Sequence, residues 1–196
     1  KLDAVAKNIS DARIQTVPKL KKSLESLLSE LGMGNARFSI QIRPSQQYFA
    51  NGKDELELLF SANKGGNFGE LKKVASGGEL SRIMLSVKKI LSENLQLPTI
   101  IFDEIDTGVS GEISNKIAQI MQQMSAHMQV ITITHLPQIA AKGAQHYKVF
   151  KSDVAGTTTT NLKQLSPEER IVEIAEMLSG KEISDSALIH AKELLN

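Results

Sequence analysis

Hydrophobic residues recur at three- and four-residue steps over residues 1–31: Leu2, Val5 and Ile9, then Leu20, Leu24, Leu27, Leu28 and Leu31. That period predicts helix. Pro18 has no N–H to give and its ring crowds the preceding turn, so a break or kink is expected near Thr16-Val17. Gly32 and Gly34 stop the run. Two readings stand side by side: an amphipathic helix packed on its own domain, or the returning helix of a coiled coil that enters a globular head. Too few heptads are present to choose between them.

The period then changes to two. Residues 36–43 alternate apolar and polar and read as a half-buried strand, and residues 55–61 as a second. The stretch Pro44 to Asp54, with Asn51-Gly52, reads as their hairpin connection. Asn63 to Gly69 is a glycine-rich loop with no Gly-Lys-Ser/Thr ending, which argues against a phosphate loop there. Gly78 to Leu95 carries Leu80, Ile83, Met84, Val87, Ile90 and Leu91 on one helical face. A strand over 98–102, a helix from Ser110 to His127, a β-branched strand over 129–134 and a short helix from Leu136 to Lys142 follow. This alternation predicts parallel strands joined by crossover helices. Tyr147–Lys151 and Thr157–Leu165 read as a hairpin turned at Val154-Ala155-Gly156, and two helices close the chain. The first of these opens with the capping box Ser166-Pro167-Glu168-Glu169; the second starts at Ser184.

Composition narrows the class only modestly. The 196 residues suffice for one ordinary domain with a core and a small appendage. With 23 Lys plus Arg against 22 Asp plus Glu the net charge is +1, which argues against a strongly basic nucleic-acid-binding domain but permits a local basic patch. The absence of cysteine rules out disulfides and thiolate metal sites and permits a reducing compartment. No apolar run approaches the roughly 20 residues of a membrane span, so no membrane partner is expected. The chain begins at Lys1 inside a helical pattern, and a fragment or processed product is expected.

Three places carry candidate chemistry. The apolar strand Thr99-Ile-Ile-Phe ends in the adjacent carboxylates Asp103 and Glu104. Open α/β sheets place ligands at such strand ends. One carboxylate can hold Mg²⁺ through its water shell and the other can polarise an attacking water; the plainer reading is that acidic residues cap a strand. Ser76-Gly77-Gly78-Glu79 opens a helix, and its two glycines let a phosphate approach the helix's free N–H groups; the plainer reading is an ordinary N-cap. His135 follows the strand 129–134, where an imidazole can bond a γ-phosphate or the attacking water; the plainer reading is a packed or capping histidine. His127, His146 and His190 have no such context, and the four histidines lack zinc-site spacing.

In this order and spacing, the three motifs resemble the ABC-type ATPases of the SMC group. Ser76-Gly-Gly-Glu looks like the signature motif, Ile100-Ile-Phe-Asp103-Glu104 like Walker B and His135 like the switch histidine. The runs 75–85, 102–111, 132–141, 173–180 and 190–195 resemble a DNA-repair branch of that group. The resemblance implies an α/β fold: the C-terminal lobe of an SMC/ABC-type P-loop ATPase head, a mostly parallel sheet flanked by helices, with N-terminal helices from a coiled-coil stem. Residues 1–34 would be the end of the coiled coil and 35–196 the lobe.

By the same resemblance Asp103 is the Mg²⁺-associated carboxylate and Glu104 the general base, with His135 beside them. Ser76, Gly77, Gly78 and Glu79 would face the γ-phosphate of ATP held by an opposite head. Asp106 to Gly111 would form a loop crossing the dimer interface. Many ABC proteins end that loop with aspartate, whereas Ser110 stands here. No Gly-x-x-x-x-Gly-Lys-Ser/Thr occurs in the chain, so the Walker A loop would come from an N-terminal lobe. The implied cofactors are ATP and Mg²⁺; the implied partners are that lobe, a second head and DNA. The implied setting is double-strand-break repair and recombination in the cytoplasm, at the nucleoid. A docking or DNA-contact module without hydrolysis is the alternative. A transporter subunit fits poorly, because the run Ile105-Asp-Thr-Gly-Val-Ser-Gly follows the DNA-repair branch.

Overall fold

The computed structural model describes all residues except Gln96, Thr107, Ser110, Ala155, Gly156 and Lys181. They divide into two units, 1–96 and 97–196.

The first unit is built on α1 (Leu2–Glu30), a single helix that runs through Pro18 without a break. The expected interruption is absent for a local reason. Pro18 removes the partner of the Ile14 carbonyl, and Ile14 lies on the exposed side where water can replace it. Strands β1 (Arg37–Phe49) and β2 (Gly52–Ser61) form an antiparallel hairpin longer than predicted. Pro44 is taken into β1 because the ladder shifts register between Pro44 and Phe49, where a missing N–H costs little. The short β3 (Gly69–Glu70) pairs with β2, and α2 (Leu71–Val74) follows it. Both lie in or beside the glycine-rich stretch and have no sequence periodicity to announce them.

Helix α3 (Gly77–Asn94) completes this unit. Leu24 and Leu28 of α1 pack with Met33, Ala36, Phe38, Phe60 and Ile83. Phe38 and Phe60 face each other across the hairpin with ring centroids 5.3 Å apart. Glu25 accepts the Phe38 amide at 2.9 Å, tying α1 to the start of β1. The second half of α1 is thus a core helix, while Leu2, Val5 and Ile14 of its first half are exposed. Within this unit α1 and β1 share a core.

The second unit holds the parallel pair β4 (Thr99–Asp103) and β5 (Gln129–Ile133), connected by α4 (Gly111–Ser125). α5 (Pro137–Lys142) follows β5. β6 (Tyr147–Val154) and β7 (Thr157–Gln164) form an antiparallel hairpin, whose turn residues Ala155 and Gly156 lie outside the described residues. α6 (Pro167–Ser179) and α7 (Asp185–Leu195) close the chain. Ile174 and Ala175 pack with Ala141, Ala187 and Ala191 where α5, α6 and α7 meet. The small alanines let these helices approach closely. Lys148 of β6 is paired with Glu173 and Glu176 of α6, which pins the hairpin to the helix. Among the described residues parallel pairing is found at β4–β5, where the crossover pattern predicted it. The antiparallel ladders β1–β2–β3 and β6–β7 contain more strands than that pair.

Candidate active site

The register of β4 and β5 places Asp103 opposite Ile133. The two strands run the same way, so their C-terminal ends lie side by side. Asp103-Glu104 leaves one end and Thr134-His135 the other. The Glu104 amide donates to the Ile133 carbonyl at 3.1 Å, extending the contact one residue beyond β4. Asp103, Glu104 and His135 are all exposed. Glu104 adopts a φ of +47°, in the left-handed region that few non-glycine residues enter. Such conformations store strain and concentrate at functional sites.

Asp106 opens the stretch expected to form a loop crossing to a second head. It is only 1% exposed. Its Oδ2 accepts the Thr134 hydroxyl, and His135 Nδ1 lies 4.0 Å from the same oxygen. The Thr134 hydroxyl oxygen in turn accepts the Leu136 amide at 3.0 Å. Burial and these local partners hold Asp106 inside its own unit. Thr134 is a site residue that the sequence reading passed over; its only signal was a hydroxyl between a β-branched strand and a histidine. Ser110 lies outside the described residues.

The second group of candidates belongs to the other unit. Ser76 is the N-cap of α3 and forms a full capping box with Glu79. The Ser76 amide and hydroxyl each donate to Glu79 Oε2 at 2.8 Å, and the Glu79 amide donates to Ser76 Oγ at 3.4 Å. Glu79 is therefore occupied in holding the cap. Ser76 and Gly77 are exposed. A Cβ added at Gly77 would meet nothing within 4 Å, so the start of the helix is open to an approaching ligand. Its macrodipole and unpaired N–H groups favour an anion.

The chain matches DNA repair protein RecN of Rickettsia conorii with 41% identity over 192 residues, 98% of its length. It matches RecN of Halalkalibacterium halodurans with 38% identity over its whole length and RecN of Haemophilus influenzae with 35%. By sequence this chain is similar to part of RecN. It spans about 35% of the length of these RecN proteins. No protein-family model matches it.

The fold agrees with that of SMC heads. The Smc head domain with coiled coil and joint from Pyrococcus yayanosii superposes with a TM-score of 0.62 at 19% identity, covering 85% of this chain and 30% of that one. The Pyrococcus furiosus Smc head with an extended coiled coil, bound to the C-terminal domain of ScpA, gives 0.60 at 17% identity, covering 87% and 41%. A chain from work on ATP-driven dimerization and DNA-stimulated activation of SMC ATPases gives 0.56 at 18% identity, covering 88% and 99%.

Proposed function

We propose that this chain is the C-terminal half of a RecN-type, SMC-like ATPase head acting in DNA double-strand-break repair and recombination in the cytoplasm. Residues 1–34 end the coiled-coil stem and 35–196 form the lobe. Asp103 is the Mg²⁺-associated carboxylate, Glu104 the general base and His135 the switch group. Ser76, Gly77 and Gly78 face the γ-phosphate of ATP on a second head, and Glu79 holds their loop in its capped form. ATP joins two heads and hydrolysis releases them.

One observation carries the reading: the parallel pairing of β4 and β5 sets Asp103 and Glu104 beside Thr134 and His135. In open α/β sheets that edge is where ligands bind. The residues present suit Mg²⁺ with a nucleotide. Among the described residues there is no cluster of three or more His, Asp or Glu side chains able to cage a metal. Mg²⁺ brought with phosphate needs only one or two protein carboxylates, and Asp103 is exposed to supply one. When bound, the ion neutralises charge that develops on the phosphate oxygens. Glu104 takes a proton from the water that attacks the γ-phosphorus, as the bond to the β-phosphate oxygen breaks and ADP leaves.

The sheet also supports a missing partner lobe. Parallel strands are normally covered on both faces. Here Ile101 of β4 is 62% exposed and Ile133 of β5 54%, with Ile131 beside them. The chain lacks a Walker A sequence, and the RecN relatives are about three times longer. An N-terminal lobe bearing the phosphate loop fits both facts and would cover this face.

The test is ATP hydrolysis by this chain with and without a co-expressed N-terminal lobe that carries Walker A. Activity in the mixture alone establishes a split site. A folded, co-purifying mixture with no activity overturns the reading in favour of a non-hydrolytic docking or DNA-contact module.

A further inference from the structure

We infer that Asp106 is a positioning residue for His135: its buried carboxylate fixes the tautomer and direction of the histidine ring. The inference goes beyond the proposed ATPase role, which treats His135 only as a group facing the nucleotide. Its consequence for turnover rests on that role; its structural content does not.

Three observations combine. The Asp106 side chain has no solvent exposure while His135 is 69% exposed at the side chain, so the pair spans from the interior to the open edge of the strands. Asp106 Oδ2 is already bonded to the Thr134 hydroxyl. Asp106 Oδ1 is buried and has no hydrogen-bond partner among the described residues. A buried carboxylate oxygen left unpaired is costly, and the nearby donor is His135 Nδ1, 4.0 Å from the neighbouring Oδ2. A small rotation of the imidazole brings an Nδ1–H onto the carboxylate.

The chemistry of the ring follows. A neutral imidazole has one N–H and one bare nitrogen, and the hydrogen bond made by one decides the state of the other. Asp106 accepts from Nδ1–H, so Nε2 is the bare nitrogen and points away from the buried carboxylate. Nε2 is then an acceptor for the attacking water. When the ring is protonated it becomes a donor to a phosphate oxygen, with its charge offset by Asp106. Thr134 fixes the carboxylate: its hydroxyl donates to Oδ2 and accepts the Leu136 amide, so the carboxylate, the strand end and the start of α5 are locked together.

The test reads the ring directly. In this chain, long-range ¹H–¹⁵N spectra of His135 should show the Nδ1–H tautomer predominating in the neutral ring. Asp106→Asn offers an amide donor in place of an acceptor and should move the ring to Nε2–H. Thr134→Val should loosen the preference, and Thr134→Ser should retain it. An Nε2–H ring in the wild-type chain, or one unchanged by Asp106→Asn, overturns the proposal. In the head assembled with its N-terminal lobe, Asp106→Asn should lower kcat about tenfold or more while KM for ATP holds. A rise in KM at constant kcat would instead make Asp106 a nucleotide-binding group and also overturn it. An inactive wild-type head would defeat the ATPase reading and leave the tautomer result to stand or fall alone.

Discussion

Glu104 sits at φ +47° immediately after the last residue of β4. An L-residue in the left-handed region costs roughly 1–2 kcal/mol, because its Cβ crowds the following carbonyl. Glycine carries no such cost. Both Glu104→Gly and Glu104→Ala remove the carboxylate, so their difference isolates the backbone term. Glu104→Gly should be the more stable of the two by about 1 kcal/mol in urea unfolding; equal stability would show that the turn is unstrained. Glu104→Gln keeps the backbone and the side-chain size but removes the base. In the assembled head it should lower ATP hydrolysis by about 10²- to 10⁴-fold and leave ATP binding largely intact, as measured by turnover and by equilibrium binding. Normal turnover would remove Glu104 from the base role. The two-carboxylate strand end was legible in the sequence because composition and position announce it. The strain at Glu104 and the burial of Asp106 were not, since each depends on where the chain turns after β4 and which side chains close over it.

At the scale of the element, two helices share one device. Ser76 opens α3 and Ser166 opens α6, each with a complete capping box. Replacing either serine with alanine should cost about 1 kcal/mol of stability. The effect on assembly should differ. Ser76→Arg removes this cap and fills the start of α3 with a large cation, and should abolish ATP-dependent pairing of heads in sedimentation. The same change at Ser166 should leave pairing intact. Unchanged pairing with Ser76→Arg would remove α3 from the interface.

His146, just before β6, provides an element-scale pH signal. Burial holds its imidazole below the usual range, and the Arg170 guanidinium adds to this; Glu173 opposes the shift and Lys148 reinforces it. The folded chain keeps the ring neutral, while the unfolded chain takes up a proton below about pH 6.5. The stability from the neutral ring is therefore present above that pH and lost as pH falls through it toward the lower folded value. Melting temperature should fall more steeply between about pH 7 and 5 in the wild type than in His146→Gln. Parallel curves would refute this coupling. Cap serines and helix periods are local signals that were plain in the sequence. The second half of β1 and the whole of β3 were not: β1, expected over 36–43, runs on through a proline that only a register shift tolerates, and β3 exists because β2 offers an edge.

For the whole molecule, the proposed docking of an N-terminal lobe on the exposed isoleucine face of β4 and β5 separates folding of this chain from assembly of the head. Ile101 is already in water in this chain, so Ile101→Glu should alter its stability by no more than about 0.5 kcal/mol. In the assembled head the same carboxylate would be buried without a partner, which is costly. Co-purification with the N-terminal lobe should be lost while the melting temperature of the isolated chain holds. Retained co-purification would place the partner lobe elsewhere.

The order of elements and the three motifs followed from local pattern, because a hydrophobic period, a helix cap and a strand ending in two carboxylates are each written in consecutive residues. The sequence by itself therefore determined the α/β class, the parallel crossover at β4–β5 and the candidates Ser76, Asp103, Glu104 and His135. Only the tertiary structure decided that α1 passes Pro18 unbroken, that its second half is a core helix, and that Asp106 turns inward to Thr134 and His135. Those outcomes depend on contacts between residues far apart in the chain. A proline's cost is set by whether water reaches the carbonyl it leaves unpaired. A carboxylate's role is set by which distant donors burial brings to it.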